Sequence, residues 1–111
     1  MNSVKKLIVL ATLLAFAVPA TAGSTASERA SKTVGAYNNY FSPKKVTVSR
    51  GSKVTWVIRK GVHNIRSKRG SFLASKNLGK GGKYSKKFSR SGSYPYVCTL
   101  HPGMDGKVVV R

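Results

Sequence analysis

In the segment YPYVCTLHPGMDGKVVVR, Tyr94 to Arg111, the only cysteine of the chain, one of its two histidines and one of its two methionines fall within seven positions. Cys98, His101 and Met104 offer a thiolate, an imidazole and a thioether. A soft set of this kind suits copper far better than magnesium, calcium or manganese, which take oxygen donors. The other histidine, His63, can supply a second imidazole. Two His and one Cys in a plane with a weakly held axial Met is the donor set of a blue-copper electron-transfer centre, able to hold Cu(I) and Cu(II) with little change in geometry. Taken singly, each residue has an ordinary alternative: a lone Cys as a small buried hydrophobe, a Met as a gap filler, a His as a satisfied core or surface group. Economy favours the site, because without the leader described below one site uses every Cys, His and Met left. Zinc is the rival metal, but its sites have no natural place for a thioether.

Short runs rich in β-branched and aromatic residues, separated by Gly, Ser and Pro, predict an all-β sandwich to position these donors. Strands are expected near Thr33 to Tyr37, Lys45 to Val48, Lys53 to Ile58, His63 to Arg66, Lys83 to Phe88, Ser93 to Cys98 and Lys107 to Val110. Alternation points Val46, Val48, Val54, Trp56, Ile58, Val108 and Val110 inward and Lys45, Lys53 and Lys107 outward. The same period puts Tyr94, Tyr96 and Cys98 on one face, so the thiolate faces into the end of the sandwich. Lys86 falls on a row that should be buried, which requires either a bulge or a buried stem with its ammonium reaching water. The stretch Ser67 to Gly82 reads as loop with at most one helical turn, pinned to the core by Phe72 and Leu78. Its GKGGK lacks the spacing and flanking elements of a phosphate-binding loop.

The segment GSYPYVCTLHPGMDGKVVV resembles the copper-binding end of the cupredoxins of the plastocyanin and amicyanin group, and the two-residue spacings within it are most similar to the short amicyanin ligand loop. Upstream, FSPKKVTVSRGSKVTWVIRKGVHN resembles the second and third strands of that family and the loop bearing the first ligand. The resemblance, from about Phe41 to Arg111, implies a cupredoxin-like Greek-key β-sandwich of seven or eight strands holding one copper ion through His63, Cys98, His101 and Met104. It implies that Asn64 braces the two ligand loops, bonding toward the Cys sulfur and toward Thr99. It also implies that Tyr94 ties down a corner through its hydroxyl, although core packing is the ordinary reading of Tyr94 and Tyr96, and that the His101 ring edge is the port for electrons. Leu100 stands where a proline is common.

At the start of the chain, Lys5 and Lys6 precede the apolar run Leu7 to Val18, and Ala20, Thr21 and Ala22 form a small-residue cleavage pattern. The run is too short to span a bilayer, which takes about 20 apolar residues, so residues 1–22 read as a cleaved export signal. Residues 23–31 read as a flexible tether and 32–111 as a single copper-binding domain, exported to the periplasm or cell exterior and monomeric. A single Cys permits no internal disulfide. Formal charge is +19, from 21 Lys and Arg against two acids, Glu28 and Asp105. Such a field points to acidic redox partner proteins or an anionic envelope surface. The cations are spread without a nucleic-acid motif, so specific nucleic-acid readout is not expected. No enzyme is expected: the four ligands leave no open metal position, and the two acids form no carboxylate pair. Copper storage or delivery, and a cationic module for anionic polymers, are the alternative functions.

Overall fold

The computed structural model describes residues 31–111; the leader 1–22 and all of the tether but Ser31 lie outside the described residues. Eight strands form two four-stranded sheets: β1 (Ser31–Tyr37), β2 (Tyr40–Ser42), β3 (Lys45–Val48), β4 (Ser52–Ile58), β5 (Arg66–Ser67), β6 (Lys83–Phe88), β7 (Gly92–Val97) and β8 (Asp105–Val110). The first sheet runs β2-β1-β4-β6 and the second β3-β8-β7-β5, with β1 parallel to β4 and β3 parallel to β8. This is the expected all-β sandwich. Among the described residues no helix is long and apolar enough to cross a membrane.

The inward rows are those the alternation predicts. Val46, Val48, Val54, Trp56, Ile58, Val108 and Val110 are all buried, whereas Lys45, Lys53 and Lys107 are exposed. Trp56 sits centrally, its ring tilted or edge-on to Tyr84, Phe88 and Tyr96. Tyr96 packs against Gly106, where an added Cβ would overlap the phenol and lie 2.9 Å from the Lys44 carbonyl. Glycine at 106 therefore lets β7, β8 and the start of β3 close over the buried ring. Burial pushes the Tyr96 hydroxyl up to about 12, with the Trp56 indole acting in the opposite sense and Asp105 adding to the rise.

Three expectations are corrected or resolved. The segment from His63 to Arg66 is not a strand: His63, Asn64 and Ile65 are buried in succession, with only an isolated bridge from His63 to Leu78 before the short β5. No bulge accommodates Lys86, because β4 and β6 pair without interruption from Ser52↔Phe88 to Val57↔Lys83. Its stem is half-buried and its ammonium lies 4.7 Å from the centroid of the Phe72 ring, a cation–π contact. The long loop contains no helical turn, and its buried anchor is Leu73, with Leu78 half-buried and Phe72 packed on Phe88 and Tyr94. Tyr94 does tie a corner, its hydroxyl donating to the Arg90 carbonyl at 2.7 Å.

Candidate metal centre

The donors converge from both sheets. β4 ends at Ile58 and the chain turns through Gly61, at φ +80°, to deliver His63. A Cβ on Gly61 would press on His63 Nε2 at 3.1 Å and on Asn38 Oδ1 at 3.2 Å, so glycine allows the tight turn that brings the Lys60 carbonyl to the ring. His63 Nε2–H donates to that carbonyl at 2.6 Å. The proton is thereby fixed on Nε2 and the Nδ1 lone pair faces Cys98 Sγ at 3.7 Å. His63 is fully buried, and burial lowers its pKa, against the raising effect of the Lys60 bond and with help from the nearby His101. The neutral imidazole that a metal requires is thus the resident form.

The other donors lie on the loop joining β7 to β8. Cys98 is buried one residue past the end of β7, and its backbone N–H donates to the Met104 carbonyl at 2.9 Å. Bonds from His101 N to the Cys98 carbonyl at 3.4 Å and from Met104 N to the His101 carbonyl at 3.2 Å fold the loop into two successive turns. Half-buried His101 turns its Nδ1 toward Cys98 Sγ at 3.5 Å, and Met104 is fully buried. The ligating atoms of His63, Cys98 and His101 all lie within 4.8 Å of one another.

Asn64 joins the two ligand loops. Its Oδ1 accepts from Thr99 N–H at 2.9 Å, and its Nδ2 donates to Thr99 Oγ1 at 2.8 Å and to Asn77 Oδ1 at 2.9 Å. Ser75 supports the same wall: its Oγ accepts from Ile65 N–H and donates to the Lys76 carbonyl, both at 2.8 Å. The sequence pointed to Asn64 and Thr99, although among the described residues Asn64 makes no hydrogen bond to the Cys98 sulfur, and nothing in it marked Lys60, Ser75 or Asn77. Lys60 acts through a backbone carbonyl, which has no sequence signature, and the other two are ordinary polar residues of an aperiodic loop.

The spacing fits a metal ion. First-row metal bonds of about 2.0–2.1 Å to nitrogen and 2.3 Å to sulfur, at angles between tetrahedral and trigonal, set N···S edges of about 3.6–3.8 Å. The observed 3.7 and 3.5 Å match that triangle. A buried thioether three residues past the second imidazole favours copper over zinc.

A two-sheet sandwich with a His, Cys, His triangle at the ends of its strands defines a cupredoxin. The chain belongs to the copper-binding plastocyanin/azurin family, whose model matches residues 29–111, and its metal is copper. It is 38% identical over 76 residues to amicyanin-alpha of Methylorubrum extorquens, covering 64% of each chain. It therefore spans just under two thirds of that curated relative. The crystal structure of amicyanin from Paracoccus versutus superposes with a TM-score of 0.68 at 32% identity, covering 73% of this chain and 81% of that one. A copper-containing nitrite reductase from Thermus scotoductus matches at 28% identity and a TM-score of 0.64, covering 71% of this chain and 22% of the enzyme.

Proposed function

We propose that this chain is an exported type 1 (blue) copper protein that carries single electrons between redox partners. In this reading His63 Nδ1, Cys98 Sγ, His101 Nδ1 and the Met104 thioether would hold the copper ion. The observation that carries it is the triangle of buried or half-buried N, S and N donors at metal-binding spacing, two of them on a loop that also buries a methionine. Copper held there would supply a one-electron Cu(I)/Cu(II) couple.

The chain's own residues do the rest. The Lys60 carbonyl fixes the His63 ring, and Asn64 ties its loop to Thr99, so the spacing of the donors is set by hydrogen bonds and packing. Buried His63, Cys98 and Met104 exclude water, leaving half-buried His101 as the way in and out for electrons. Exposed Leu100, beside His101, offers a dry contact for a partner. The chain acts as a monomeric carrier rather than an enzyme, with the first 22 residues removed on export. Acidic redox proteins or an anionic envelope surface are its partners.

The test is a visible spectrum after addition of Cu(II) to the purified mature protein. An intense blue thiolate band is expected, and it should be lost in Cys98→Ser because a hydroxyl supplies no thiolate charge transfer. An undiminished band in that variant, or none in the parent, overturns the assignment. Rapid surrender of copper to a chelator would instead identify a delivery protein. Export is checked by the mass of the secreted product, expected to begin at Gly23.

A further inference from the structure

A groove of about 280 Å³ lies on the second sheet, lined by Lys44, Lys45, Lys68, Pro95, Asp105 and Lys107. Asp105 is the one acid among the described residues, and it is held by two ammonium groups, Lys44 Nζ at 3.3 Å and Lys68 Nζ at 3.2 Å. These contacts hold its carboxyl below the usual range, Lys68 more than Lys44. Next to this clamp, Lys45 and Lys107 are direct partners across the parallel β3–β8 pair, both exposed. Like charges placed opposite each other on one sheet face repel. With Asp105 already shared by two lysines, the described residues hold no further side-chain carboxylate, and neither Lys45 nor Lys107 is in an ion pair.

We propose that this groove is the docking site for a carboxylate-bearing segment of an acidic redox partner, a reading that rests on the carrier function above. Asp105 shows the binding mode within the molecule: one carboxylate bridging two lysines. Neighbouring strands lie about 4.8 Å apart, which puts Lys45 and Lys107 within reach of a second carboxylate held the same way. That carboxylate comes from the partner. The surface is concave, with Pro95 among its lining residues, so it suits individual side chains better than a flat bilayer. It starts at Asp105, next to Met104, so a partner anchored there lies along the strand that leaves the metal end.

The structure contains its own control. Lys53 and Lys87 are likewise directly opposed, across β4 and β6, beside Ser52↔Phe88 and at the end of β4 remote from His63. They lie outside the groove. The experiment is calorimetric titration of hexaglutamate into the copper-loaded protein at about 0.01 M salt, where charges act over about 30 Å. Amide-shift mapping of the Cu(I) form identifies the residues involved. Lys45→Gln with Lys107→Gln should weaken binding about tenfold or more, as expected for losing one charge-assisted clamp. Lys53→Gln with Lys87→Gln removes the same charge and should weaken it less than about threefold, with shifts confined to Lys44–Val46, Lys68 and Asp105–Val108. Equal weakening by the two pairs, or shifts spread over both sheets, means a general field and overturns the groove. Preferential binding of phosphatidylglycerol vesicles through Lys45 and Lys107 assigns the surface to lipid and also overturns it. The titration reads carboxylate binding and the visible band reads copper, so failure of one is distinct from failure of the other.

Discussion

Asn64→Ala is the sharpest test of how the two ligand loops are held together. The side chain is only 2% exposed and makes three hydrogen bonds, two to Thr99 and one to Asn77. At a net worth of about 1 kcal/mol each, their loss costs roughly 3 kcal/mol. In a domain of this size each kcal/mol moves the midpoint by about 4–8 °C, so the copper-free variant should melt roughly 12–24 °C below the parent. Thr99→Val keeps the backbone N–H that donates to Asn64 Oδ1 and loses one bond, so it should cost about 1 kcal/mol. Because the brace sets the distance between His63 and Cys98, Asn64→Ala should also lower copper affinity about 10- to 100-fold. The assays are thermal and urea denaturation without copper, and competition with a calibrated chelator. A variant within about 0.5 kcal/mol of the parent, with unchanged copper affinity, would show that the loops are positioned by packing alone.

Gly106→Ala should cost more than about 3 kcal/mol by urea denaturation, because the new Cβ meets both the Tyr96 phenol and the Lys44 carbonyl; a near-neutral change contradicts the packing described. Met104→Leu should keep copper and the blue band but change the reduction potential by voltammetry, since a thioether would bind copper only weakly beside a thiolate and two imidazoles; complete loss of copper at neutral pH would make Met104 a principal ligand. The copper-free protein should lose stability as pH falls from about 7, because burial holds the folded-state pKa of His63 below its unfolded value of about 6.5. That contribution is intact above the unfolded value and gone once pH has passed the folded one, and a flat urea midpoint between about pH 8 and 5 refutes it. Asp105 acts likewise at lower pH: its lowered pKa stabilises the fold above about 4 and the effect fades as the carboxyl protonates. Asp105→Asn should therefore differ from the parent by about 1 kcal/mol or less near neutrality and converge with it in acid.

What could be read from sequence was what repeats. Val46 and Val48, or Val54, Trp56 and Ile58, each leave an alternating trace because one face of their strand is buried and the other wet. β2 leaves no such trace: in three residues only Phe41 points inward, and one residue has no period. The stretch from His63 misled for the opposite reason. Its composition suggests a strand, but His63, Asn64 and Ile65 are buried consecutively, one facing the cysteine sulfur, one bonded to Thr99 and one in the core. Three of the four proposed ligands were visible as one short motif, and His63 by elimination, since it is the only other histidine.

His63 lies on the crossover from β4 of the first sheet to β5 of the second, whereas Cys98, His101 and Met104 lie between β7 and β8. A change in the distance between His63 and Cys98 therefore works against the Asn64–Thr99 bonds that tie the two loops together and against the core beneath them, where Trp56 and Tyr96 pack edge-on at 5.3 Å. Buried packing of this density has few alternative arrangements, so the cysteine and first-histidine positions should be nearly the same in both oxidation states. His101 differs, being half-buried on a loop whose turn bonds are the longer 3.2 and 3.4 Å ones. What adjustment the redox change demands should fall on His101, the residue proposed above as the way in and out for electrons.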